Sequence, residues 1–146
     1  MFSYLGRSGD TRADLYRPHI HNKLVAVSFV TVGELLFGAN HDNWGKAKRD
    51  KLRARLRSTV IIPYDYALCE TYARLKANLP KGRTIADNDI WIAASAVRHS
   101  IPLLTHNRRH FDDFKELIVI SEEAIAKEIE SQGKLAIKVT GGDSSA

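Results

Sequence analysis

The chain has a single cysteine, Cys69, among its 146 residues. No intrachain disulfide can form, and a reducing, cytoplasmic setting is expected. Cys69 stands among apolar and small residues, so packing is its expected role. No stretch approaches the ~20 consecutive apolar residues of a membrane span. The N-terminus also lacks the apolar core of a secretory leader, so no membrane partner is expected. There is no glycine-rich phosphate loop, and no serine or cysteine sits in a nucleophile constellation. His106 and His110 are four apart, but no cysteine or further histidine completes a zinc set. Acidic residues are the scarcer charge, 17 against 22 lysines and arginines, and the net charge of +5 favours an anionic partner.

What is present is enough for one domain with a real core. The most informative stretch runs from Ile85 to Val97. Two carboxylates, Asp87 and Asp89, stand two residues apart at the mouth of an apolar run. Wound as a helix, the run puts Ile90, Ala93, Ala94 and Val97 on one stripe, with Ile92 and Ala96 on the other side. Such a helix is buried almost all round, and its alanines imply a close neighbour. Asp87 has the place of an N-cap. Asp89 reads either as a first-turn acid favoured by the helix dipole or as a metal ligand, since a partly desolvated carboxylate needs a cation, a proton or several donors.

Around this stretch, helices and short apolar runs alternate. Residues 11–20 read as a helix, 24–29 as a buried parallel strand, and 31–39 as a helix directly after it. In that helix Thr31 and Glu34 have capping-box spacing, but Glu34 also lies at a strand-to-helix junction, where α/β sites form. Residues 43–58 form a strongly basic helix carrying Arg53, Arg55 and Arg57, with a thin seam of Trp44, Leu52 and Leu56. It reads as a solvated face or as a surface that tracks phosphates. A strand at 59–63, a helix at 65–79, strands at 101–105 and 117–120, and a helix from Ser121 to about Ser131 follow. Asn107 lies just past the strand at 101–105, and Asp112 and Asp113 read as capping, solvent-facing acids. Residues 135–139 alternate weakly, within a flexible tail at 133–146.

The alternation predicts an α/β fold with a parallel sheet flanked by helices. Glu34, Asp89, Asn107 and Asp87 can then meet along one edge. Carboxylates and an amide form an all-oxygen set that suits Mg²⁺ or Mn²⁺. Glu34, Asp89 and Asp87 are the candidate metal ligands, and all four are candidate catalytic residues. One or two such ions activate water for phosphodiester cleavage.

Three stretches, Val32–Ala39, Asn88–Ala96 and Leu103–Phe111, together with Phe2–Leu5, resemble in order and spacing a PIN domain of the kind found in VapC-type ribonuclease toxins of bacterial toxin–antitoxin pairs. The resemblance covers residues 1 to about 120 and implies a three-layer fold, Mg²⁺- or Mn²⁺-dependent RNA cleavage, a homodimer, and neutralisation by a cognate antitoxin. It makes Glu34 the second acid of the family, Asp89 the third, Asn107 the residue at the fourth position, and Asp87 a frequent extra acid. It sets the domain at 1–132. In the family a first strand ending in Asp-Thr precedes the stretch matched by Phe2–Leu5. That strand and its acid are expected to be missing from a chain that starts at Met1. Arg108 and Arg109, beside Asn107, join Arg53, Arg55 and Arg57 as candidate RNA contacts. The alternative to an active nuclease is a catalytically impaired PIN-domain protein that only binds antitoxin or dimerises. A nuclease acting on DNA is a more distant reading.

Overall fold

The computed structural model describes residues 11–121 except His106. The elements in chain order are α1 (Thr11–Ile20), β1 (Ala26–Ser28), α2 (Phe29–His41), α3 (Lys46–Arg57), β2 (Val60–Ile62), α4 (Tyr66–Ala77), α5 (Asp87–Arg98), β3 (Leu103–Leu104), a 3₁₀ turn η1 (Arg108–His110) and β4 (Val119–Ile120). The helix and weak strand expected after Ser121, and the tail at 133–146, lie outside the described residues.

Local capping chemistry decides where several elements begin. The Ser28 hydroxyl accepts from the Val30 N–H at 3.3 Å, so α2 starts at Phe29 and takes the end of the expected strand with it. Thr31 and Glu34 therefore do not form a capping box at the helix start; Glu34 lies in the second turn. Asp65 accepts from the Leu68 N–H at 2.6 Å and opens α4. Gly45 precedes α3 and Ala86 precedes α5, in each case without a side-chain cap.

The strands are parallel, as expected, and short. β1 pairs with β2 in the register Ala26↔Val60, Val27↔Ile61, Ser28↔Ile62, and β3 pairs with β4 through Leu103↔Val119 and Leu104↔Ile120. Among the described residues they form two two-stranded ladders and no wider sheet. Helix α5 supplies much of the core. Its Ile90, Ala93 and Ala94 pack with Leu68 and Leu75 of α4 and with Phe111 and Phe114. The two alanines are fully buried, which confirms the close neighbour that their small side chains predict. Tyr72 of α4 stacks on Trp91 of α5 with ring centroids 3.9 Å apart, and Phe29 meets Trp91 edge-on.

Two polar ties join the layers. The buried hydroxyls of Ser95 and Ser28 hydrogen-bond at 3.1 Å, linking α5 to the end of β1. The fully buried Tyr16 of α1 donates its hydroxyl to the Thr105 carbonyl at 3.3 Å, beside the end of β3. Cys69 is exposed, against expectation, because the buried stripe of α4 runs through Leu68, Thr71 and Leu75 and turns its neighbour outward. Among the described residues no helix is long and apolar enough to cross a membrane.

Candidate functional site

The first turn of α5 is where the elements meet. Consecutive helical side chains point about 100° apart, and Asp87, Asn88 and Asp89 reach three different elements. Asp87 turns to α4: its Oδ1 accepts from Lys76 Nζ at 2.7 Å and from the Tyr72 hydroxyl at 2.9 Å. Asn88 turns to α2, where its Nδ2 donates to Glu34 Oε1 at 2.9 Å. Asp89 turns to η1, where its Oδ2 lies 2.8 Å from His110 Nδ1.

These contacts settle several local readings. Asp87 is not the N-cap, because Ala86 holds the extended backbone before the helix and the Asp87 carboxylate is used elsewhere. Its pKa is held below the usual carboxylate value, first by the Lys76 hydrogen bond and then by that of Tyr72; Lys76 in turn is pushed up by Asp87. Asp89 is the more enclosed acid, its side chain 22% exposed against 62% for Asp87. Glu34, freed from any capping duty, faces the start of α5 through Asn88.

Asn107 stands exposed at the N-cap of η1. Its N–H donates to Thr105 Oγ1 at 3.1 Å, and its carbonyl accepts from the His110 N–H at 3.0 Å, so it belongs to the loop that carries His110. That loop is clamped from outside. Arg83 Nε donates to Asp113 Oδ2 at 2.7 Å and its guanidinium donates to the Arg109 carbonyl at 2.8 Å. Asp113 is thus paired and three-quarters buried rather than free in solvent, whereas Asp112 pairs with Arg108 at the surface. Local spacing gave no sign of the roles of Arg83, Asn88 and His110, since their partners are 21 to 54 residues away.

The donor chemistry can be tested against a divalent cation. Mg²⁺ commonly takes one or two protein carboxylates and completes its shell with water and phosphate oxygens. Glu34 and Asp89 meet that requirement with hard oxygen donors. Asp87 meets it less well, having Lys76 as its cation already. Among the described residues no three His, Cys, Asp or Glu side chains gather to form a full protein cage. The set fits an ion held partly by substrate and water, and does not fit structural zinc.

Of the basic candidates, Arg53 pairs loosely with Asp50 at 3.4 Å, and Arg108 pairs with Asp112 at 3.2 Å. Arg57 and Arg109 are exposed, and Arg55 is partly buried. The α3 helix is therefore basic but partly neutralised by Asp50, which also takes Lys46.

A PIN domain model matches residues 1–117. The chain belongs to the PIN domain family. Among its relatives is Ribonuclease VapC1 of Haemophilus influenzae (strain R2866), 33% identical over 98 residues that cover 66% of this chain and 72% of that one. Among solved structures, VapBC2 from Rickettsia felis bound to a DNA fragment from its promoter superposes with a TM-score of 0.70 at 24% identity, over 82% of this chain and 91% of that chain. VapBC-1 from nontypeable Haemophilus influenzae superposes with a TM-score of 0.65 at 25% identity, with the same coverage. The parallel strands flanked by helices are thus those of a PIN domain, in which Glu34 is bonded by Asn88 and Asp89 by His110 at the start of α5.

Proposed function

We propose that this PIN domain is a Mg²⁺- or Mn²⁺-dependent endoribonuclease, the toxin of a type II toxin–antitoxin pair. The observation that carries the reading is the meeting of Glu34, through Asn88, and of Asp89, through His110, at the first turn of α5. Its relatives support it: VapC1 of Haemophilus influenzae is named a ribonuclease, and the superposing structures are VapBC complexes. A cognate antitoxin, a second copy of the chain and RNA are the partners this reading assigns.

Glu34 and Asp89 would hold the ion, which when bound supplies an activated water and charge stabilisation for phosphodiester hydrolysis. Asn88 keeps the Glu34 carboxylate turned toward α5, and Asn107 would contribute from the loop that carries His110. Asp87, neutralised by Lys76, keeps α4 and the α5 start together. The exposed basic side chains of α3, with Arg108 and Arg109, would meet phosphates.

The test is Asp89→Asn, which keeps the shape and removes the charge. Mg²⁺-dependent RNA cleavage should disappear while the thermal melt stays cooperative; a variant that still cuts RNA with Mg²⁺ excludes this site. The small donor set among the described residues favours one second reading, a catalytically impaired PIN domain that binds antitoxin alone. In that case the unaltered chain binds antitoxin and leaves RNA intact at every Mg²⁺ and Mn²⁺ concentration.

A further inference from the structure

His110 is attached to the site from both ends. Its ring Nδ1 is 2.8 Å from Asp89 Oδ2, and an ionised carboxylate, which can only accept, takes a hydrogen bond there from Nδ1–H. Its backbone N–H is bonded to the Asn107 carbonyl, and the preceding carbonyl, that of Arg109, is held by Arg83. Arg83 also grips Asp113 on the far side of the turn. The η1 turn is thus fixed to the segment leading into α5, and the imidazole reaches from it to a carboxylate 21 residues earlier. The imidazole has little packing role, since its side chain is 53% exposed. An exposed ring held this firmly on an enclosed carboxylate acts on that carboxylate.

We propose that His110 is a positioning residue for Asp89, its Nδ1–H holding Oδ2 so that Oδ1 is presented for a divalent cation. The inference rests on the metal-binding reading of Asp89 above. A hydrogen bond of this kind fixes both side-chain dihedrals of the aspartate before the ion arrives, and outer partners of metal ligands typically change affinity about 10–100-fold.

Substitutions that imitate one ring nitrogen at a time provide the test. The amide nitrogen of asparagine branches from the chain at the same distance as Nδ1; that of glutamine lies near the place of Nε2. Mn²⁺ affinity would be measured by electron paramagnetic resonance of the free ion, alongside the thermal melt and RNA cleavage. His110→Ala and His110→Gln should weaken Mn²⁺ binding by about 10–100-fold with little change in melting temperature. His110→Asn should bind within a few-fold of the unaltered chain. Unchanged affinity in His110→Ala overturns the proposal, as does equal rescue by asparagine and glutamine. An unaltered chain that binds no Mn²⁺ overturns the metal-binding reading itself, and this inference with it.

Discussion

Asn88 Nδ2 donates to Glu34 Oε1 at 2.9 Å, across 54 residues of sequence. The bond joins α2 to the first turn of α5 and leaves the second Glu34 oxygen uncommitted to Asn88. Glu34→Gln keeps an acceptor for Asn88 and removes the charge. Its stability should change by about 1 kcal/mol or less, while Mg²⁺-dependent RNA cleavage is lost. Glu34→Ala should lose the bond as well as cleavage. Thermal melts and a cleavage assay on the two variants separate the roles. A Gln variant that melts much earlier yet cuts RNA normally would make Glu34 a purely structural residue.

Most elements were legible because their signals are local. The periodicity of Leu68, Thr71 and Leu75 marks the buried face of α4, and Ile90, Ala93 and Ala94 mark that of α5. The misreadings come from competing partners, some local and some distant. Thr31 and Glu34 have cap spacing, but Ser28 takes the cap three residues earlier. Asp87 precedes an apolar run as a cap would, yet Lys76 and Tyr72 draw its carboxylate across to α4. The role of His110 had no local signal, because its partner Asp89 lies 21 residues earlier. Cys69 could have been placed correctly from the phase of its own helix. Glu34 and Asp89 stood out in the sequence as acids near the starts of helices, whereas the partners that hold them, Asn88 and His110, did not.

The α4–α5 packing should be sensitive to volume in both directions. Ile90 is 1% exposed, and Ile90→Ala should cost about 2–5 kcal/mol through lost burial and the cavity left behind. Ala93 is 0% exposed, so Ala93→Leu must push the helices apart or force a poor rotamer, at about 1–3 kcal/mol. Urea unfolding measures both. A neutral Ala93→Leu would mean that the two helices separate readily, contrary to the packing observed.

The basic face of α3 makes a salt-dependent prediction. Arg53 is only loosely paired and Arg57 is exposed, so both are available to phosphates. Replacing Arg53, Arg55 and Arg57 with Gln should weaken RNA binding across sequences. The slope of log affinity against log salt should fall by roughly 0.7 for each single-strand phosphate that is no longer neutralised. Binding titrations at several salt concentrations give the slope. An unchanged slope would make α3 a solvated face or a protein-facing one.

The Lys76–Asp87 pair gives the chain a defined pH response. Asp87 is held below its ordinary value of 3.8 by Lys76 and Tyr72, so its contribution to stability is complete above that value and is lost as pH falls through the lowered pKa. Lys76 is raised above its ordinary 10.5 by Asp87, so its contribution is complete below that value and is lost as pH rises through the raised pKa. Lys76→Met keeps the bulk of the stem and removes the charge. The gap in melting temperature between the unaltered chain and this variant should be flat between pH 3.8 and 10.5 and should close beyond either end. It should also be modest, because both groups face solvent and exposed pairs contribute little. The variant bears on metal binding as well. If Asp87 ligates the ion, removing its competing ammonium should tighten Mn²⁺ binding; if Asp87 serves only to join α4 to α5, Mn²⁺ affinity should stay constant while the acid and alkaline limbs of the stability curve move. Thermal melts across pH, paired with a Mn²⁺ titration at neutral pH, distinguish the two roles in one variant.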